Sequence, residues 1–529
     1  MTKKTDKIIA AALAAILWMP LVLACGEKNK NPNDSGEIDM DMMEDMHDMD
    51  NGGCIDNSAL MPKYVPDSEV NFITVGEGGK GESYTPDWAK SLIMVEVHLE
   101  TATPEGTFQS GIAVLDHLAQ MGVNGIWLTP IYEKGAGGNG YGNIGPHAVE
   151  PALTGTSDQE EGWKIVKWYI DEAHKRNIRI MLDIITWGTV TASPLFSEHP
   201  DWYKGKAWGN EAFDWKNGEF VEWFIAVAVD NIVKTGADGY RVDCEPNYAG
   251  YKIFEEIRAR LLENGRKTLI IAEDGCRHGE AFDFEQDGVL LYDKWDRGAQ
   301  YANPKNFYID YLNIVDSVRE GTGIGSASLQ KSPRAGTYSL YTYCVSNHDY
   351  HYSNVNQNRL ALGYQAIFAP FVPLWYLGEE FNLANDNSVF YFVPVDWSLL
   401  EDEENNEFFE DIKKYIRIRL TYPEIFAYFP ENHRDSNICK VEAKNQPLQA
   451  YARYAGNRAV IIVGNNEPSL DSFEITVPLD AMNLGAFSEY VLSDLMTGKQ
   501  IASGTKSDVA KFAAKIDYRH IGAYLVEGK

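Results

Sequence analysis

The sequence contains little cysteine and little positive charge. Six of its 529 residues are cysteine and no two of them form a CxxC pair, so the spacing predicts neither a zinc site nor a disulfide framework. Cys244, Cys276 and Cys344 adjoin acidic segments and are interpreted as small buried hydrophobes. Lysine and arginine number 47 against 77 aspartates and glutamates, a net charge of −30 at pH 7. Because such a chain repels phosphate backbones and anionic lipid, nucleic acid is excluded as an expected partner and a neutral substrate is favoured.

The apolar run at the amino terminus is too short to span a membrane comfortably. It extends from Ile8 to Leu23, between three lysines and Cys25. A charged region, an apolar region and a small-residue cleavage site in this order are typical of a signal peptide, here over residues 1–24. Residues 22–25 (VLAC) resemble a bacterial lipobox, which implies that Cys25 becomes the lipidated first residue of the mature protein. The alternative is an ordinary secretory signal beside an incidental cysteine, and both predict export from the cytoplasm.

Large aliphatic residues are almost absent from the segment that follows, up to Asn57, where acidic residues alternate with methionines. This composition predicts a self-repelling, extended tether over residues 25–62 between a lipid anchor and a folded domain. A soft metal site is the alternative interpretation. Anchor and tether together predict a protein of the bacterial cell envelope, lipid-anchored at the outer membrane or facing the periplasm, or otherwise a secreted protein.

Strand and helix patterns alternate after the tether. Apolar runs at 92–99, 123–130 and 178–183 predict strands, and amphipathic patterns at 110–121 and 161–176 predict the helices between them. Repeated units of this length predict a parallel sheet with right-handed crossovers that closes into an eight-stranded (β/α)8 TIM barrel. An open doubly wound sheet is the alternative fold.

The later part of the chain continues this pattern and then changes. Further helices are predicted at 220–235, 251–262, 357–368 and about 406–420, and the last barrel strand with its loop at 370–380. Beyond Pro430 the helical period gives way to short alternating segments, which predict an antiparallel β-sandwich. We therefore predict a barrel over residues 63–430, a short inserted loop domain at about 188–213, and a C-terminal β-sandwich domain over 431–529.

Three short acidic segments follow predicted strands, and each contains a carboxylate of interest: Asp243, Glu273 and Asp349. The first two are 30 residues apart and the last two are 76 apart, which fits one and then two strand-plus-helix units with a loop insertion. A barrel gathers the carboxyl ends of its strands at one face. The sequence therefore predicts that these three carboxylates converge at that face.

A series of short motifs occurs in a fixed order along the chain: Gly140-Tyr141, Glu150-Pro151, Ala173-His174 through Asp183, Phe213 to Asn217, Gly239 to Asp243, the Glu273 segment, Asn347-His348-Asp349 and Pro373 to Glu380. Together they resemble the alpha-amylase family of glycoside hydrolases, commonly numbered family 13, from about Leu92 to the carboxy terminus. The resemblance implies a barrel enzyme that hydrolyses α-glucosidic bonds of starch-like glucans or maltooligosaccharides with retention, through a covalent glycosyl-enzyme intermediate. A transglycosylase or isomerase on the same fold and a degenerate, non-catalytic glucan-binding protein are the alternatives.

The resemblance also implies roles for individual residues. Asp243 would be the nucleophile, Glu273 the general acid and base, and Asp349 the group that stabilises the positive charge of the transition state. Four further residues are implied to bind substrate or order the site: Tyr141, Asp183, Arg241 and His348. A retaining mechanism predicts that the carboxyl groups of Asp243 and Glu273 lie roughly 5 to 5.5 Å apart.

The residue types themselves support these roles. Arg241 and Asp243 are two apart on one strand, so their side chains leave the same face, and the guanidinium is expected to hold Asp243 ionised. A structural ion pair is the alternative for these two residues. Glu273 is expected to carry a proton at neutral pH, because it must donate one to the leaving oxygen.

The chain departs from the family near these residues. Trp187 and Gly188 replace an Asn-His pair. In the family that Asn helps hold a structural calcium ion and that His contacts the sugar, so calcium is left open and no metal ligand is assigned. Residues 245–247 replace a Lys-His pair on the leaving-group side, and the substrate therefore cannot be copied from the family.

Overall fold

The computed structural model describes residues 86–135, 138–244, 250–273, 284–286, 340–344, 347–348, 359–368, 372–383, 394–427, 437–444, 450–465 and 467–529. The predicted signal peptide, the lipid anchor at Cys25 and the acidic tether lie outside these residues, and so do Asp349 and the domain bounds predicted at 62/63 and 430/431. They stay predictions.

The strands in chain order are β1 Met94–Val97, β2 Gly125–Leu128, β3 Arg179–Ile185, β4 Gly188–Thr189, β5 Tyr203–Ala207, β6 Asn210–Phe213, β7 Gly239–Asp243, β8 Leu269–Ala272, β9 Phe284–Gln286, β10 Leu340–Cys344, β11 Val372–Tyr376, β12 Ile438–Lys444, β13 Ala450–Ala455, β14 Arg458–Gly464, β15 Ser472–Thr476, β16 Tyr490–Asp494, β17 Lys499–Gly504, β18 Lys511–Lys515 and β19 Ile521–Gly528.

The α-helices are α1 Leu99–Ala102, α2 Ile112–Met121, α3 Pro151–Thr154, α4 Gln159–Lys175, α5 Pro194–Glu198, α6 Gly218–Thr235, α7 Gly250–Glu263, α8 Glu403–Thr421, α9 Pro423–Phe426 and α10 Lys506–Val509. Short 3₁₀ segments occur at Asp87–Ser91, Pro200–Trp202, Glu379–Phe381 and Trp397–Glu401, and residues Ala361–Ile367 form a π-helix. Within the described ranges no helix has the length and apolar character needed to cross a membrane.

Eight strands form a closed barrel in the order β1, β11, β10, β9, β8, β7, β3, β2. All eight neighbouring pairs are parallel. The ring confirms the predicted (β/α)8 barrel, and the open doubly wound sheet is therefore wrong. Strands β9 and β10 both lie between Glu273 and Asp349, as the 76-residue interval predicts.

The barrel closes because its strands are apolar on both faces, with helices outside and side chains filling the interior. One interior layer consists of large apolar side chains, among them Met94, Trp127, Met181, Leu269 and Leu374. Gly239 lets β7 lie close to β8, since a Cβ at this position would meet the carbonyl oxygen of Leu269 at 1.8 Å. This close pairing places the end of β7 that carries Asp243 beside the end of β8 that precedes Glu273.

Two antiparallel sheets complete the fold. Strands β4, β6 and β5 form a small sheet between β3 and α6 that spans 188–213, the range of the predicted insertion. The C-terminal part forms an eight-stranded antiparallel sheet in the order β17, β16, β19, β14, β13, β12, β15, β18, in agreement with the predicted β-domain. The Tyr451 hydroxyl donates to the carbonyl oxygen of Tyr364 at 2.5 Å, so this sheet packs directly on the barrel.

Candidate active site

The guanidinium group of Arg241 is the centre of a cluster of carboxylates at the carboxyl ends of β3, β7 and β8. Arg241 is completely buried. Its Nη1 donates to Asp243 Oδ1 at 2.7 Å and to Asp183 Oδ2 at 3.2 Å, and its Nη2 lies 3.1 Å from Glu273 Oε1. The structure thus brings together four residues that the sequence predicted. Their arrangement places three carboxyl groups around one guanidinium group.

Asp183 is held in place by two further donors. Trp127 Nε1 and the Tyr141 hydroxyl each donate to Asp183 Oδ2 at 2.9 Å. The Tyr141 ring stacks on the His348 ring with centroids 4.7 Å apart and planes 14° apart. Asp183 is 1% exposed, so within this arrangement it orients Arg241 and Tyr141 rather than facing the opening of the barrel.

His348 reaches the cluster through a residue that the sequence analysis missed. Its Nδ1 lies 2.6 Å from Oε1 of Glu96 on β1, and both side chains are buried. The edge of the His348 ring also contacts Trp127, with ring centroids 5.5 Å apart. Glu96 interrupts an otherwise apolar strand, and a carboxylate in a fully buried strand is the signal that could have identified it.

The turn after β7 positions Glu273. Cys244 has a left-handed φ of 49°, a conformation that costs energy for a residue with a Cβ and is often found at functional sites. In this conformation its backbone N–H donates to Glu273 Oε2 at 2.7 Å. The Thr186 hydroxyl donates to the carbonyl oxygens of Asp243 and Cys244 at 2.8 and 2.6 Å. Cys244 is half-buried, not fully buried as its interpretation as a small buried hydrophobe requires.

The protonation of the two proposed catalytic carboxyls differs from the expectation. Burial raises the pKa of Asp243 to about 7, against the lowering effect of Arg241, and the charges of Asp183 and Glu273 add to the rise. Burial also acts to raise the pKa of Glu273, but the Arg241 charge and the Cys244 N–H outweigh it and hold that pKa below its usual range. Asp243 is 6% exposed, whereas the Glu273 side chain is 24% exposed. This geometry therefore favours a proton on Asp243 over one on Glu273, the reverse of the expected assignment.

The carboxyls of Asp243 and Glu273 and the thiol of Cys244 have ligand atoms within 4.8 Å of one another. Such a set could hold a borderline cation, but the Arg241 guanidinium already supplies positive charge to both carboxylates. The residue at the family's calcium position does not fit a calcium ion. The carbonyl oxygen of Trp187 accepts a hydrogen bond from the Phe213 N–H at 3.1 Å, and its indole side chain offers no oxygen ligand.

Comparisons with known proteins find enzymes of the alpha-amylase type. A family model described as the alpha-amylase catalytic domain matches residues 78–215. The chain is 24% identical over 383 residues to a malto-oligosyltrehalose trehalohydrolase of Saccharolobus solfataricus, covering 62% of this chain and 65% of that protein. It is 22% identical over 435 residues to a cyclomaltodextrinase of Geobacillus thermopakistaniensis, covering 75% and 67%. The chain thus spans about two thirds of the length of these relatives.

Solved structures share the fold over most of the chain. A noncanonic maltogenic alpha-amylase from Thermotoga neapolitana superposes with a TM-score of 0.60 at 21% identity, covering 82% of this chain and 98% of that one. An alpha-amylase from Geobacillus thermoleovorans, solved with acarbose, superposes with a TM-score of 0.62 at 18% identity, covering 83% and 99%. At these identities the likeness establishes the barrel and its C-terminal sheet.

Proposed function

We propose that this chain is a retaining glycoside hydrolase of the alpha-amylase family, acting on α-glucosidic bonds of starch-like glucans or maltooligosaccharides. The observation that carries this proposal is the contact of one buried guanidinium with Asp243 at 2.7 Å and Glu273 at 3.1 Å. Two carboxyl groups held side by side at the carboxyl ends of adjacent barrel strands are what a double displacement requires.

Each proposed residue has a defined task in the reaction. The ionised Asp243 attacks the anomeric carbon while the bond from that carbon to the leaving oxygen breaks, and Glu273 donates its proton to the leaving oxygen. Glu273 then accepts a proton from water, whose oxygen displaces Asp243 from the sugar and restores both carboxyl groups. Tyr141 and His348 present a stacked pair of rings to the sugar bound there, and Asp349 is proposed to stabilise the positive charge.

The geometry implies a proton shift before the first step. Asp243 must be ionised and Glu273 protonated, yet burial and hydrogen bonding favour the opposite arrangement. Arg241 contacts both carboxyl groups, whereas the Cys244 N–H donates to Glu273. A bound sugar that moves Glu273 away from this N–H would therefore raise the pKa of Glu273. This step would allow the proton to pass from Asp243 to Glu273, which must donate it to the leaving oxygen.

Product stereochemistry tests the mechanism. We expect maltoheptaose hydrolysis, followed by proton NMR during the first minutes, to release the α-anomer first. A panel of amylose, pullulan, cyclodextrin and maltooligosyl trehalose would identify the bond that is cleaved, and incorporation of ¹⁸O from labelled water would distinguish hydrolysis from sugar transfer. A first product in the β-configuration would exclude a retaining mechanism, and inactivity of the wild-type protein on the whole panel would exclude the proposed substrate class.

Location in the cell envelope is a separate proposal that rests on the sequence. Residues 22–25 and the acidic stretch after them support lipidation at Cys25. We expect Cys25→Ala to move the protein from the membrane fraction to the soluble fraction on expression in a bacterial host, because the thiol is the attachment point. Cys54→Ser, which changes a cysteine in the tether, should stay with the membranes. Soluble wild-type protein in the same assay would contradict the anchor.

A further inference from the structure

The inserted sheet displays an exposed tryptophan beside the candidate active site. Within the described residues no large apolar side chain is more exposed than Trp208, at 66%. Trp208 and Gly209 form the two-residue turn between β5 and β6, where Ala207 pairs with Asn210. An apolar ring of this size facing water is costly, and most other aromatic side chains among the described residues are at least partly buried.

The backbone at this position is also unfavourable for tryptophan. Trp208 has φ 47° and Gly209 has φ 80°, the left-handed pair typical of a tight hairpin turn. Asparagine, aspartate or glycine would adopt the first of these conformations at lower cost, whereas a bulky residue is a genuine outlier there. Since neither burial nor backbone preference accounts for Trp208, the outlier suggests a function.

Contacts connect Trp208 to the carboxylate cluster. Its ring meets the half-buried Trp187 ring edge to face, with centroids 5.5 Å apart. Trp187 follows Thr186, whose hydroxyl donates to the carbonyl oxygen of Asp243. The Phe213 N–H donates to the Trp187 carbonyl oxygen, and Gly188 pairs with Ala212. One small sheet therefore fixes both indoles relative to the site.

We propose that Trp187 and Trp208 form a platform on which a glucose unit of the bound α-glucan stacks, away from the bond that is cleaved. The inference rests on the proposed function and adds the residues that select for chain length. A neutral chain of sugar rings suits one exposed and one half-buried indole on a protein with a net charge of −30, which repels anionic ligands. Trp187, which takes the place of the family's usual Asn, thereby gains a role in this chain.

Chain-length kinetics test the platform. With Trp208→Asn we expect kcat/KM on maltoheptaose to fall roughly tenfold, mainly through a higher KM, because one ring contact is lost. The loss on maltotriose should be at most about twofold, since a short substrate does not reach the platform. Asparagine suits the left-handed turn, so the Tm should equal or exceed that of the wild type. Trp208→Phe should restore part of the maltoheptaose affinity.

A second exposed tryptophan provides the control. Trp168 on α4 is 40% exposed, and Trp168→Ala should change neither substrate's kinetics. An equal effect of Trp208→Asn on both substrates, or none on either, would overturn the platform while leaving the proposed function intact. A wild-type protein inactive on both maltoheptaose and maltotriose would instead remove the proposed function and the platform with it.

Discussion

Asp243→Asn is expected to lower kcat on α-glucans by roughly 10⁴-fold or more and, at the same time, to raise the Tm at pH 8. Activity is lost because an amide cannot form the glycosyl ester. Stability rises because a buried carboxylate that ionises only above a pKa of about 7 is replaced by a neutral group. The amide oxygen can still accept the hydrogen bond that Arg241 Nη1 donates at 2.7 Å.

The stability effect has a defined pH dependence. The folded protein holds a proton on Asp243 up to pH 7, whereas the unfolded chain releases it near pH 4. Folding stability therefore declines between about pH 4 and 7 for this group and is lowest above pH 7. The gain in stability from Asp243→Asn should therefore grow between about pH 4 and 7 and then level off. At about 1.4 kcal/mol for each of roughly three pKa units, the gain is at most about 4 kcal/mol.

Thermal denaturation at pH 4.5, 6, 7 and 8 measures this prediction. Asp171→Asn supplies the control, because the Asp171 side chain is 48% exposed and forms an ion pair with Lys167 on the same helix, and its effect on Tm should be small at every pH. A Tm difference for Asp243→Asn that stays constant from pH 4.5 to 8 would show that the native pKa of Asp243 is ordinary.

The parts of the site that depend on local spacing could be predicted from the sequence. Arg241 and Asp243 are two apart on a strand, so their shared face followed from strand geometry alone. In the structure Asp183 pairs with Arg241 across β3 and β7, so these two side chains lie at the same level. Residues at the ends of consecutive barrel strands are therefore predictable once the barrel is recognised.

Contacts between distant segments could not be predicted in this way. Glu96 and His348 are 252 residues apart in sequence. No spacing rule connects β1, the first barrel strand, with the loop after β10, the seventh barrel strand in chain order. The expected protonation of Asp243 and Glu273 differs from what the structure favours for a related reason. The protonation depends on which carboxyl group is more deeply buried and on which one accepts the hydrogen bond that the Cys244 N–H donates at 2.7 Å. Neither can be read from the sequence.

Arg241→Met is expected to be the most destabilising substitution in the site. It leaves Asp183 and Asp243 buried, together with the partly buried Glu273, without the cation they share. Removing one partner of a buried ion pair typically costs about 3–5 kcal/mol, and activity should fall by roughly 10³-fold or more because neither carboxyl is then positioned. Arg241→Lys should retain more stability than Arg241→Met, yet little activity, since one ammonium group cannot span three carboxylates as a guanidinium does.

The pH dependence of Arg241→Met distinguishes lost charge from lost packing. Burial already raises the pKa of Asp183 and of Asp243, and without the guanidinium both rise further above those of the unfolded chain. The native state then binds more protons above pH 4, and stability falls more steeply as pH rises. Urea denaturation at pH 5 and pH 8 should therefore show a much larger deficit at pH 8. Arg260→Met is the matched control, because Arg260 forms partly exposed ion pairs with Glu222 and Glu256 and should cost about 1 kcal/mol or less. An Arg241→Met deficit that is equal at both pH values, or no larger than that of Arg260→Met, would mean that packing rather than shared charge holds the three carboxyls together.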